Sequence, residues 1–493
     1  MRLTVAALLV LSSSAAGCGA PSQTAAPQPS PSPVPPAATA PPPPAAPVAS
    51  LEPLRAMPYT PSLDVTSLDR SVDPCVDFYE FSCGGWMAHN PIPPDQAGWS
   101  VYAKLTQDNQ RFLWGILEED ARAKDRTPVQ QKVGDYFAAC MDTKAIDAAG
   151  IAPVAPDLEK IAAVTSRREL VAEIARLTHE AHGTFFFDSG TEQDAADSSR
   201  IIVTVQAGGL GLPDRDYYLK TDPKSVEIRD QYVAFVANLL VLGGDPKDRA
   251  SAEAKAVLAL ETELARASLT RVERRDPHKI YHLMPLSALA ATAPVVDWPQ
   301  YFAAQGVPAV GKLNVSQPAF FQEVQALLTT ASLEDLRTYL RFHLLAGAAP
   351  HLAHPFEQAS FDFYSHTLRG VPVLPPRWKT CARAVDRNLG EALGEEFVRR
   401  TFTPETKAKT LRMTEQIEKA MDREIKALDW MGPATKVAAL RKLHVIRNKI
   451  GFPDAWRDYG TLTVVPDDYF ADMRRAMIFE EERQWHKLGK PVD

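Results

Sequence analysis

Histidines at helical spacing are where metal chemistry would first show in a chain. His179-Glu180-Ala181-His182 sets two histidines around a glutamate. A zinc peptidase uses HExxH, because i, i+4 spacing puts both imidazoles on one helix face with the glutamate beside the metal-bound water. Here the spacing is i, i+3, and the segment reads as a solvated helix end. His278 and His282 do stand at i, i+4, but Lys279 occupies the place of the catalytic glutamate, so a structural role is the better reading. His351, His354 and His366 offer a His-x-x-His pair plus a third ligand. No general base accompanies them and Pro355 interrupts the segment, so they read as surface histidines. There is no GxSxG nucleophile elbow. Carboxylates are plentiful, but no pair is marked out.

The five cysteines are Cys18, Cys75, Cys83, Cys140 and Cys381. Asp73 followed by Pro74 reads as a cap and first helical residue, which predicts a short helix through Cys75 and Cys83. Eight helical residues rise about 12 Å, whereas a disulfide needs Cα atoms within roughly 7 Å. On that helix the two cysteines cannot bond each other.

The elements that must position these residues are mostly amphipathic helices. Ser100–Glu119 places Val101, Leu105, Phe112, Leu113 and Ile116 on one stripe. Thr127-Pro128 opens a helix with Val129, Val133, Tyr136, Phe137 and Cys140 on one face. Further helices are predicted at 166–182, 225–242 and 248–269, with 317–329 and 333–345 as an antiparallel pair. Thr403-Pro404-Glu405 starts a long helix whose stripe is Ile417, Met421, Ile425 and Leu428. Gly432-Pro433 stops it, and another helix follows to Ile446. Thr184–Phe187 and Ile201–Val205 are the strand candidates, paired as one small sheet. The fold class is mainly α with a minor short-strand sheet.

Residues 1–17 read as a signal peptide, with Arg2 as the charged start and Leu3–Leu11 as the apolar run. That run is too short to span a bilayer. Ala15-Ala16-Gly17-Cys18 looks like a bacterial lipobox, with Ala15 where Leu is commoner, and the expectation is a lipidated Cys18. Residues 18–62 form a Pro/Ala-rich tether that carries no charge from Ala20 to Ser50; thirty residues of polyproline geometry reach roughly 90 Å. Gly19 lacks the acidic character of an inner-membrane retention signal, so the expectation is an exported outer-membrane lipoprotein facing the periplasm, or a secreted protein. Export permits disulfides and argues against a cysteine nucleophile. About 430 residues remain from position 63 onward, enough for a large core. A net charge of −7 without a basic run excludes nucleic-acid binding as a reading.

Several long motifs, in order, resemble the neprilysin and endothelin-converting-enzyme family of zinc peptidases. They are Asp73–Trp86, Gly209–Tyr218 (GLGLPDRDYY), Asn314–Phe321 (NVSQPAFF), Arg377–Cys381 (RWKTC), Trp430-Met431 with Thr435-Lys436, Lys449–Pro453 (KIGFP) and Trp456–Tyr459. The resemblance runs from about Leu63 to Asp493 and implies the large helical lobe of a two-lobed peptidase that cuts short peptides. It implies zinc held by HExxH and a later glutamate on a second lobe, with the HExxH glutamate activating the attacking water.

No residue of this chain aligns with the family's HExxH, third zinc ligand, transition-state histidine or substrate-aligning Asn-Ala-Tyr. The expectation is an N-terminal portion, residues 63–493, without catalytic or metal residues of its own, binding no zinc and inactive alone. The resemblance further implies a Cys140–Cys381 disulfide, and partners for Cys75 and Cys83 in the zinc lobe. Thr106 stands where some relatives carry an arginine for the substrate carboxylate. The expected partners are peptide substrates, the zinc lobe and, through the anchor, a membrane. One alternative is a non-catalytic helical module that binds peptides or a partner. Another is a split enzyme whose zinc lobe is a separate chain.

Overall fold

Capping side chains set where several of the helices begin. A computed structural model describes residues 51–59, 61, 63–180, 184–307 and 309–492. The signal-peptide residues, Cys18, most of the tether and His182 lie outside the described residues. Ser100 caps α2 (Val101–Arg122), and Thr127 with Gln130 forms a capping box on α3 (Pro128–Met141), which follows α1 (Phe78–His89). Next come α4 (Arg167–Glu180), strands β1 (Phe187–Gln193) and β2 (Ile201–Ala207), and α5 (Pro223–Leu242), capped by Asp222. Then follow α6 (Lys247–Ala267), β3 (Leu283–Pro285), β4 (Lys312–Val315), α7 (Pro318–Thr330) and α8 (Leu333–Ala348). The chain continues with α9 (Arg377–Asn388), α10 (Gly390–Thr401), α11 (Pro404–Ala427), α12 (Pro433–His444) and α13 (Tyr469–Trp485). The fold is mainly helical around one small sheet, as expected.

That sheet has the order β1-β2-β4-β3. β1 and β2 pair antiparallel, from Phe187 opposite Ala207 to Gln193 opposite Ile201. β4 joins β2 in parallel and takes β3 antiparallel on its other side. The larger core packs α4 to α8 around the sheet, with Phe185, Phe186, Phe187, Trp298, Tyr301 and Phe321 fully buried. A smaller core joins α2, α3, α9, α10 and α13, and contains the Cys140–Cys381 disulfide. Contacts reach back to Glu52, whose carbonyl accepts from Arg111 Nε at 2.9 Å, ahead of Leu63 where the composition becomes globular.

Four local expectations are corrected. The segment from Asp73 begins as a turn, in which the Asp73 carboxylate accepts from the Cys75 amide at 2.8 Å; the helix starts at Phe78, capped by Asp77. Cys75 therefore precedes the helix and only Cys83 is on it. The first strand begins at Phe187, not Thr184, because Phe185, Phe186 and Phe187 are all buried and an alternating strand cannot bury three successive side chains. Phe186 instead turns through φ 65°. α7 and α8 pack principally against α6 and do not form a hairpin on each other. α2 buries Phe112 and Ile116, but Val101 and Leu105 at its start are exposed.

Candidate functional site

The Gly208–Pro213 loop leaves the sheet after β2 and is held by hydrogen bonds to three tyrosines, Tyr218, Tyr339 and Tyr364. Tyr339 donates its hydroxyl to the Gly209 carbonyl at 2.7 Å and accepts from the Phe186 amide at 3.0 Å. Tyr364 donates to the Gly211 carbonyl at 3.0 Å. Tyr218 accepts from the Leu212 amide at 2.8 Å and donates to Glu261 at 2.9 Å, while Tyr232 donates to the same carboxylate at 2.8 Å. His343 Nε2 lies 2.8 Å from its other oxygen. Glu261 is fully buried, and these partners supply the hydrogen bonds that such a carboxylate requires. Burial first, then Glu261, pushes Tyr218 and Tyr232 far above the usual phenol range, so both stay hydroxyl donors.

Two glycines permit this arrangement. Gly209 adopts φ +73°, which side chains other than glycine rarely take. A Cβ on Gly211 would lie 1.9 Å from the Tyr232 hydroxyl. Just beyond, Asp214 accepts from Arg271 at 2.9 Å and Arg274 at 3.0 Å. Burial pushes its carboxyl up, but the Asp216 amide and Arg271 outweigh that and hold it below the usual range. The loop forms one wall of a cleft of about 370 Å³, shared with Thr184, Asp188, Arg274 and Gln317. The cleft lining is mixed, with Asp188, Arg274 and Gln317 beside Leu210, Leu212 and Leu269.

Among the described residues, the histidines singled out by spacing do not come together. His179 ends α4, with Nδ1 3.6 Å from Glu481, and the interaction with that carboxylate raises its pKa. His278 is exposed in a single helical turn, and the His282 amide donates to Asn314 at 2.7 Å. His351 Nδ1 lies 2.8 Å from the Tyr469 hydroxyl, the His354 amide donates to Asp147 at 2.8 Å, and His366 Nδ1 lies 3.1 Å from the Val371 carbonyl. Among the described residues no three His, Cys, Asp or Glu side chains are grouped to hold a metal ion. Zinc therefore does not fit these described residues. Thr106 lies exposed on α2 and donates to the Tyr102 carbonyl at 2.9 Å.

Cys75 is exposed and Cys83 half-buried, and both are free thiols. Beside them Val76, Phe78 and Tyr79 are exposed. A second uncovered apolar area lies on α11 and α12, which pack on each other. Neither helix buries a single residue, although Met413, Ile417, Met421 and Val437 are large and apolar. Trp430 between them is 73% exposed, so the expected stripe exists but is not covered within the described chain.

Three buried polar groups went unread in the sequence. Glu261 carried a usable signal, because it follows Val257 and Leu260 on the apolar stripe of α6. Lys379 lies among the buried residues of α9, but Asp95, its partner at 2.7 Å, is 284 residues away in sequence. Asp157, bridged by Arg176 and Arg474 at 2.8 and 2.7 Å, depends on chain segments far apart in sequence.

The sequence profile of peptidase family M13 matches residues 74–453. Endothelin-converting enzyme 1 of Rattus norvegicus is 28% identical over 435 residues, which covers 84% of this chain and 56% of that protein. Neprilysin-3 of Drosophila melanogaster is 27% identical over 455 residues, covering 87% of this chain and 58% of that protein. Among solved structures, the zinc metalloprotease ZMP1 of Mycobacterium tuberculosis, in complex with an inhibitor, is similar with a TM-score of 0.82 at 29% identity, over 87% of this chain and 65% of that one. PepO from Lactobacillus rhamnosis shares the fold with a TM-score of 0.78 at 22% identity, over 85% of this chain and 66% of its own. The chain thus spans 56% of the length of the first of these relatives. Motif order, helical architecture and profile agree: the chain belongs to peptidase family M13.

Proposed function

We propose that these residues are the helical lobe of an exported, lipid-anchored zinc endopeptidase that hydrolyses short peptides, and that they are inactive without a zinc lobe carrying HExxH. The observation that carries this reading is the α11–α12 pair, which buries no residue yet displays Met413, Ile417, Met421 and Val437. Helices of this kind owe most of their stability to a packed apolar face, and a contiguous exposed patch marks a contact surface. The zinc lobe is the occupant of that face, and the free Cys75 and Cys83 are its covalent ties. The lipobox-like Ala15–Cys18 and the tether after it support export and anchoring.

Co-expression with the HExxH-bearing portion of a family member tests this. Cleavage of internally quenched peptides should appear only with both parts present. Changing Ile417 and Met421 to Asp should abolish it while the helical part stays folded. Full cleavage by the double variant, or no association of the two parts, would favour a non-catalytic helical binding module. A mature N-terminus at Cys18 carrying added lipid mass tests the anchor.

A further inference from the structure

A second cavity, of about 160 Å³, lies at the seam between the two cores. Leu344 and Ala348, from the end of α8, belong to the larger core; Met473, from α13, belongs to the smaller one; Phe470 packs against both. The polar lining is one-sided. Arg387, Arg474, His351 and Asn388 face the space, and no Asp or Glu lines it.

The state of each polar group shows what is lacking. Arg474 is engaged, donating to Asp157 at 2.7 Å and to the Glu180 carbonyl at 2.8 Å. Asn388 spends its amide N–H on the Tyr136 hydroxyl at 2.6 Å. His351 is fixed through Nδ1 to Tyr469 at 2.8 Å, and its other ring nitrogen has no protein partner among the described residues. Arg387 takes part in no ion pair among the described residues. A guanidinium at the mouth of a largely apolar cavity, without a counter-charge, is an incomplete carboxylate site.

We propose that this cavity binds a small carboxylate bearing a short apolar group, either a free short-chain acid or the C-terminal residue of a peptide. The carboxylate would meet Arg387, and the apolar group would lie against Leu344, Phe470 and Met473. The size fits, because an engineered cavity of about 150 Å³ holds a benzene ring. The electrostatics agree as well. Burial, then Arg387 and Arg377, push His351 down to about 4, so the imidazole is neutral and adds no charge to the side chains that face the space. Because the walls come from both cores, an occupant would tie the cores together.

The inference stands apart from any zinc chemistry, and its test measures binding alone. The 493-residue chain is titrated with 4-methylpentanoate, 4-methylpentanamide, and acetyl-Ala-Leu with a free or an amidated C-terminus, followed by calorimetry and saturation-transfer NMR. At least one carboxylate should bind, with its amide weaker by about tenfold or more. Binding of the free acid alone assigns the first source, and binding of the peptide acid alone assigns the second. Arg387→Gln should lose about tenfold in affinity, and Arg387→Lys should retain part of it. Arg387 is exposed, so its variants should keep the wild-type unfolding midpoint. Equal binding of acid and amide, unchanged affinity in Arg387→Gln, or no binding at millimolar ligand would overturn the proposal.

Discussion

Changing Gly211 to alanine adds one methyl group at a place with no room for it. The new Cβ would stand 1.9 Å from the Tyr232 hydroxyl, 2.9 Å from Cζ and 3.1 Å from Glu261 Oε1. None of these atoms can retreat cheaply, because Tyr232 and Glu261 are both fully buried and the hydroxyl is bonded to the carboxylate at 2.8 Å. Relief requires the ring to move off Glu261. Losing a hydrogen bond to a charged group costs about 1.5–3 kcal/mol, and overpacking adds roughly 1–3 kcal/mol. Gly211→Ala should therefore destabilise by about 3–5 kcal/mol, read as a lower urea midpoint at unchanged slope. The cause can be isolated with Tyr232→Phe, which removes the clashing oxygen. In that background Gly211→Ala should cost less by about 2 kcal/mol, an interaction energy expected of directly contacting residues. A cost below about 1 kcal/mol, or strict additivity of the two changes, would refute the claim that this tyrosine dictates a glycine here.

Breaking the buried Lys379–Asp95 pair by Asp95→Ala should cost about 3–5 kcal/mol, whereas the joint change Lys379→Met with Asp95→Leu should cost far less, since no charge is left stranded; urea unfolding of both variants checks this. His351 is held neutral, with its pKa lowered to about 4 by burial and by Arg387 and Arg377. Its folded pKa lies below the unfolded value, so the unfolded chain binds the extra proton as pH falls. Stability from this group is full above about 6.5 and should drop by roughly 3 kcal/mol as pH falls through 4. His351→Gln should flatten that slope, and identical slopes would refute the assignment. Replacing Cys140 and Cys381 together by alanine opens a link between residues 241 apart and should cost up to roughly 5 kcal/mol, seen as a lower thermal midpoint.

Helix starts were legible wherever a side chain announced them: Ser100, Thr127 and Thr403 each cap the helix their position predicts. Asp73-Pro74 misled because Asp77, four residues on, offers the same chemistry and has Glu80 in the first turn to favour it. The run Thr184–Phe187 looked like strand from composition, but burial of three successive aromatic side chains is a tertiary outcome that no local pattern encodes. β3 and β4 are too short, at 3 and 4 residues, for alternation to register. At the Gly-rich loop the sequence displayed a break and the structure supplied its reason, since the tyrosines that clamp it come from positions 218, 339 and 364. Periodicity on α11 marked an apolar stripe but says nothing about what covers it.

The central claim is that these residues shape a helical lobe whose chemistry depends on a separate zinc-bearing lobe. The most direct measurement is the zinc content of the purified 493-residue chain by mass spectrometry, taken together with its cleavage of quenched peptides. The account predicts no stoichiometric zinc and no chelator-sensitive cleavage, because His179, His278, His282 and His351 do not converge on a common point. One tightly bound zinc per chain, with cleavage that a chelator stops and that a change at His179 or His278 abolishes, would contradict it.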